Sequence, residues 1–205
     1  MDAVYESNSL KIFKQNTLIL GATIDLKKTI KDSLSKTCSV IDDTFSYSTK
    51  TVGETIANYN FTISNLAGME KKDISDLTFD EFYYLAILIK ISQKPSILVI
   101  DNLFGYLNNN QKMNIINIAK KSNIYLIIFD NELYYSYDGF DVIVIYNNKT
   151  AIQGEFRDVV LQEKILKRLG YELPFYVDLS TQLKLFGLVK KVCYSREELE
   201  ALLWK

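Results

Sequence analysis

Ser96-Ile97-Leu98-Val99-Ile100-Asp101-Asn102 is the stretch that decides the fold. Four consecutive apolar residues with no polar alternation suit a strand covered on both faces, the setting of a parallel sheet. Such a strand ends where a polar residue meets the edge, here Asp101. The same design recurs outward in both directions. Thr17-Leu18-Ile19-Leu20 closes on Gly21 and is followed by a helical pattern from about Leu26. Asn123 to Phe129 closes on Asp130, and Asp141 to Tyr146 leads through an Asn147-Asn148 turn into Lys149 to Gln153. Between the first two strands, Phe82, Leu85, Ala86 and Ile89 mark the buried face of a helix over Asp80 to Ser92. Strands alternating with helices predict an α/β fold with a mainly parallel sheet, and Gly21, Asp101 and Asp130 on one common edge.

Beyond Gly154 the pattern is helical only. Segments at Arg157 to Leu169, Phe175 to Phe186 and Ser195 to Trp204 are amphipathic, and Ser195 to Glu198 reads as a capping box. A boundary is therefore expected at 154/155, with residues 1–154 as a core and 155–205 as a small helical lobe.

Composition narrows the chemistry. The 205 residues carry 24 basic and 25 acidic side chains, a balance that argues against nucleic acid as a partner. Histidine is absent, so no histidine-based metal site or nucleophile system exists in this chain. Cys38 and Cys193 show no paired spacing and read as reduced thiols, and the polar opening gives no sign of a signal peptide. The expected location is cytoplasmic. Tyr83, Tyr84, Tyr134, Tyr135 and Tyr137 read as half-buried packing.

The order of segments, with the tail Arg168-Leu169-Gly170-Tyr171-Glu172-Leu173-Pro174, resembles the ATPase subunits of ABC transporters. It is most similar to those of energy-coupling-factor transporters, and the resemblance runs from Leu10 to Trp204. It implies a P-loop NTPase-like core of the ABC type and a C-terminal lobe that pairs subunits. It also implies ATP and Mg²⁺ as ligands, a homodimer or a heterodimer with an ABC ATPase paralogue, and membrane transporter subunits as partners at the inner face of the cell membrane.

The motifs keep their places and change their content. Gly21 and Lys27 stand at the phosphate-loop spacing, but the last glycine is Leu26 and the Mg²⁺-binding hydroxyl position is Lys28, with Thr29 next. Asp25 brings a negative charge into the loop and reads as a helix cap, while Lys28 and Thr29 remain candidates for residual phosphate contact. Leu77-Thr78-Phe79-Asp80-Glu81 stands for the signature. Thr78 keeps its hydroxyl, two glycines have become Phe79 and Asp80, and Thr78-x-x-Glu81 forms a capping box. Asp101 retains the Walker B aspartate that holds Mg²⁺, followed by Asn102, an amide that cannot serve as a general base. Asn131 replaces the switch histidine. The Mg²⁺-sensing glutamine is expected near Phe45-Ser46-Tyr47, where none is found, and Tyr5 is a poor substitute for the adenine-stacking aromatic. Gly21, Lys27, Lys28, Thr29 and Thr78 are thus the nucleotide candidates, Asp101 the metal candidate, and Asn102 and Asn131 the altered catalytic positions. Weak binding of ATP and Mg²⁺ at most is expected. Three readings follow: a non-hydrolysing regulatory or structural subunit, an ATP-binding energy-coupling subunit beside a competent paralogue, or a stand-alone interaction protein.

Overall fold

The protein is described by a computed structural model covering residues 2–7, 10–34, 38–59 and 68–204. Two short strands, β1 (Ala3–Ser7) and β2 (Leu10–Phe13), pair antiparallel as a small sheet of their own. The main sheet comprises β3 (Thr17–Leu20), β4 (Ser39–Ile41), β5 (Ile97–Asp101), β6 (Tyr125–Asp130), β7 (Asp141–Tyr146) and β8 (Lys149–Glu155). Its order is β4-β5-β6-β3-β7-β8, parallel throughout except for the β7–β8 hairpin. The hairpin turns through Asn147 and Asn148, both at positive φ (51° and 59°), a conformation asparagine tolerates.

The unbroken apolar runs have a direct structural reason. Alternate residues of each central strand feed different layers. Leu18, Leu20, Leu98, Ile100, Leu126 and Ile128 face helices α3 (Phe79–Ser92) and α4 (Asn109–Lys121). Ile19, Ile97, Val99, Ile127 and Phe129 face Ile30 and Leu34 of α1 (Ile24–Leu34) and the β1–β2 pair. Both faces are dry, so period-2 polarity is absent. Tyr5 is buried in this second layer and is not available to stack on a base. One further helix, α2 (Val52–Tyr59), lies between β4 and α3.

Register confirms the common edge. Leu20 stands opposite Asp130, and Asp101 opposite Phe129, so Gly21, Asp101 and Asp130 leave the sheet together.

The tail begins with α5 (Phe156–Val160) and α6 (Glu163–Arg168), where one continuous helix was expected over 157–169. The boundary expected at 154/155 falls within β8. Phe156, Val159, Val160, Leu166 and Val177 all enter the main core, because α5 folds back onto the strand that precedes it. Among the described residues a separate small core forms between α7 (Phe175–Leu185) and α8 (Arg196–Leu203), around Val189, Cys193 and Leu199. Among the described residues no helix is long and apolar enough to cross a membrane.

Candidate functional site: a phosphate-loop position closed by ion pairs

Parallel strands place the start of the following helix and the ends of neighbouring strands at one edge, where ligands bind in open α/β sheets. Here that edge holds the end of β3, the first turns of α1 and the end of β5. Gly21 turns at φ +73°, and α1 begins three residues later. Thr23, rather than Asp25, caps the helix: its hydroxyl accepts from the Leu26 N–H (3.4 Å) and donates to Asn148 (3.0 Å). Asp25 already lies in the first helical turn and is exposed, because the helix starts one residue before it.

Lys27 does not face outward from this helix. It is 8% exposed, with Nζ 3.1 Å from Asp101 Oδ1 and donating to Asn102 Oδ1 at 2.8 Å. Its ammonium also lies 5.7 Å from the Phe129 ring centre. Asn102 reaches this position through the left-handed backbone region (φ 57°), which asparagine enters more readily than other residues with a Cβ, while its N–H donates to the Phe129 carbonyl at 2.9 Å.

A second lysine completes the closure. Lys31, one helical turn after Lys27, lies 2.8 Å from Asp101 Oδ2 and 3.0 Å from Asp42 Oδ2. Burial opposes the Lys31 charge, but hydrogen bonds to Asp101 and Asp42 outweigh it and hold its pKa above the ordinary range. For Asp42 burial likewise opposes ionisation, and hydrogen bonds from Thr44 and Lys31 lower its pKa overall.

These residues do not fit a magnesium nucleotide. Both oxygens of the metal-candidate Asp101 already face ammonium groups. Oδ1, though deeply buried, accepts no hydrogen bond; its approach to Lys27 is an ion pair without hydrogen-bond geometry. The Thr29 hydroxyl donates to the Asp25 carbonyl (2.9 Å), and Lys28 is exposed on α1.

Thr78 sits apart, at the start of α3. Its hydroxyl donates to Asp80 (2.6 Å), and Glu81 accepts from the Thr78 N–H (2.9 Å) while pairing with Lys72. Hydrogen bonds to Thr78 and Gln111 outweigh the slight burial of Asp80 and keep its carboxyl ionised below the usual range. Phe79 is 74% exposed beside Tyr106. Where the metal-sensing residue was expected, Phe45 packs edge-on against Tyr47, and Tyr47 edge-on against Phe82. Asp42 occupies the sheet edge in their place, three residues earlier. Asp42 and Lys31 were the residues overlooked. Their signals were present: an aspartate directly after an apolar strand, and a lysine four residues beyond Lys27 on the same helix face.

Asn131 is exposed past the end of β6, its N–H on Asp130 Oδ1 (2.7 Å). Asp130 itself is 5% exposed. Burial raises its pKa despite the Tyr137 hydroxyl it accepts (2.5 Å) and the nearby Lys112, whose ammonium packs on the Tyr134 ring. A carboxyl with a raised folded pKa favours the folded state below its ordinary value near 3.8 and loses that contribution as pH rises through the folded value. Asp130→Asn, in which the Tyr137 hydroxyl can rotate to accept from the amide, is therefore expected to gain about 1 kcal/mol at pH 7, roughly 2–4 °C in melting temperature. The gain should shrink as the melt is repeated toward pH 4. A constant difference across that range would show that Asp130 ionisation is not its source.

The fold is that of the P-loop NTPase domains of ABC ATPases. Its homologues are ABC transporter ATP-binding proteins. A Pyrococcus horikoshii protein of that description is 27% identical over 146 residues, covering 68% of this chain and 48% of its own length. The energy-coupling factor transporter ATP-binding protein EcfA1 of Lactobacillus delbrueckii subsp. bulgaricus is 25% identical over 130 residues, covering 62% and 42%. The chain thus spans about half the length of the curated relatives it matches. Among solved structures, a bacterial Atm1-family ABC exporter with ATP bound superposes with TM-score 0.60 at 15% identity, over 82% of this chain and 39% of that one. CbiO1 from Clostridium perfringens, part of the ABC transporter complex CbiONQ, gives 0.55 at 14%, over 80% and 90%. No protein-family model matches the chain.

Proposed function

We propose that this chain is an ABC-ATPase-shaped subunit that does not hydrolyse ATP and acts by pairing, either with itself or with an ABC ATPase paralogue, to regulate or scaffold a transporter assembly at the inner membrane face. The observation that carries this reading is Lys27, buried on Asp101 and Asn102. A lysine so placed is committed to neutralising the core rather than to awaiting phosphate. Asn102 offers no base, and Phe79, Asp80 and Glu81 fill the signature with bulk and carboxylate, which repel a nucleotide held by a partner.

An ABC site is composite, so both halves contributed by this chain are altered. In a mixed dimer neither site would be intact, which ranks regulation above the alternative of an ATP-binding energy-coupling subunit. That alternative is favoured by one observation, the relation to EcfA1. Pairing is supported by the apolar residues left exposed on the tail, Phe175, Leu185, Phe186, Leu188 and Trp204.

Steady-state ATPase assay and calorimetry with ATP and Mg²⁺ test the proposal, with light scattering on the same preparation to report dimers. Neither turnover nor heat of binding is expected. Turnover on the order of 1 s⁻¹ that disappears in Lys27→Ala would refute the non-hydrolysing reading, and a monomer at every concentration would remove self-pairing.

A further inference from the structure

α7 ends at Leu185, and the chain turns there in a fixed way. The Gly187 N–H donates to the Lys184 carbonyl (3.1 Å) and the Leu188 N–H to the Leu183 carbonyl (2.9 Å), with Gly187 at φ +71°. This closure of the last helical carbonyls needs a left-handed residue, and it commonly brings the residue after the glycine back onto the helix. Here Leu188 stays 63% exposed, and Leu185 and Phe186 are 83% and 79% exposed. Leu183 before the turn and Val189 after it both pack in the small tail core. The turn is thus anchored from both sides while its apolar tip points into solvent.

The charge around the tip is one-sided. Between Asp178 and Glu197 the chain carries Lys184, Lys190, Lys191 and Arg196 and no acidic residue, in a protein of net charge −1. Arg196 is held by Glu200 (2.7 Å), while Lys184, Lys190 and Lys191 are exposed beside the tip. A second copy meeting this turn about a two-fold axis would set the same lysines against one another. An anionic bilayer instead offers a low-polarity layer to the tip and phosphates to the lysines.

We propose that the turn at 184–191 is a lipid-contact surface: Leu185, Phe186 and Leu188 enter the headgroup boundary of an anionic phospholipid bilayer, and Lys184, Lys190 and Lys191 meet its phosphates. The inference goes beyond the non-hydrolysing reading and does not rest on it. Lysine stems can lie along the inserted apolar residues while their ammonium groups stay at the headgroups. Neither part is sufficient alone, because a small apolar tip binds marginally and a few lysines are screened by salt. Phe175, at the opposite end of α7, and Trp204, beyond α8, lie outside this turn and remain for pairing.

Cosedimentation of the full chain with vesicles tests the proposal, comparing equal parts of phosphatidylcholine and phosphatidylglycerol with phosphatidylcholine alone. Binding is expected to the anionic vesicles, weakening as salt rises, and not to the neutral ones. Lys190→Gln with Lys191→Gln should weaken it roughly 25-fold, about fivefold for each charge lost near an anionic surface. Phe186→Ser should weaken it on the order of tenfold, the scale of one aromatic side chain withdrawn from an apolar layer. In Phe186→Trp combined with Trp204→Phe, the single indole should shift its emission to the blue on anionic vesicles and be quenched by brominated lipid. No binding to anionic vesicles, equal binding to neutral ones, binding unchanged in the lysine variant or in folded Phe186→Ser, or an unquenched indole would each overturn the proposal. Light scattering that shows Phe186→Ser splitting a dimer while vesicle binding persists assigns the turn to subunit pairing and overturns it too. Should Phe186→Ser not fold, the lysine variant and the indole quenching decide by the same criteria. Because no nucleotide is present, these outcomes are separate from the ATPase result, which bears only on hydrolysis.

Discussion

Lys27→Met is expected to lower the stability of the protein by about 3 kcal/mol, the low end of the cost of breaking a buried ion pair. The low end applies because Lys31 remains on the other Asp101 oxygen, 2.8 Å away. For a chain of this size that corresponds to a fall of roughly 6–12 °C in melting temperature. Methionine keeps the apolar stem of the lysine, so the loss reports the ammonium and not a cavity. What vanishes is the 3.1 Å ion pair to Asp101 and the 2.8 Å hydrogen bond to Asn102. Asp101 Oδ1 would then be buried with neither a hydrogen bond nor an opposing charge. A lysine that serves a bound phosphate behaves oppositely: its removal weakens nucleotide binding and leaves the apo protein's melt nearly unchanged. Thermal and urea melts of the two proteins therefore distinguish a strut from a ligand-binding group. An unchanged melt accompanied by lost ATP affinity would overturn the closed-site reading.

Gly21→Ala should be about as damaging, near 3 kcal/mol, for a reason unrelated to phosphate. Gly21 holds φ +73°, a region costly to a residue with a Cβ, by about 1–3 kcal/mol. A Cβ there would also come 2.3 Å from the Ile145 carbonyl oxygen and 2.7 Å from the Tyr171 hydroxyl. Tyr171 can swing aside, being the end of a side chain. Ile145 cannot, because its carbonyl belongs to β7, which pairs directly with β3. The double variant Gly21→Ala with Tyr171→Ala should therefore recover little of the loss. A Gly21→Ala melt within 2 °C of the parent, about 1 kcal/mol or less at this size, would mean the loop relaxes freely and that the tail does not constrain it.

The two substitutions mark the division between local and distant information. The sheet was legible in Thr17 to Leu20, Ile97 to Asp101 and Asp141 to Tyr146, because an apolar run ended by a polar residue is a local pattern. The capping chemistry at Thr78 to Glu81 and Ser195 to Glu198 was legible for the same reason: donor and acceptor lie three residues apart. The β1–β2 pair escaped notice, since short strands amid polar residues carry little periodicity. Amphipathic helices look alike in sequence whether they pack on the main sheet or on each other, so the entry of Phe156, Val159 and Leu166 into the main core is decided only by the assembled structure.

The site divides in the same way. The chain itself states that Lys27, Asp101 and Asn102 stand at functional spacings and that Leu26, Lys28 and Asn102 are unusual there. It does not state that Lys27 and Asn102, 75 positions apart, share a hydrogen bond, or that Lys31 bridges Asp42 to Asp101. Composition and periodicity encode which residues avoid water. Which charges meet depends on the order β4-β5-β6-β3 and on the rotation of α1 over it, a property of the assembled sheet alone.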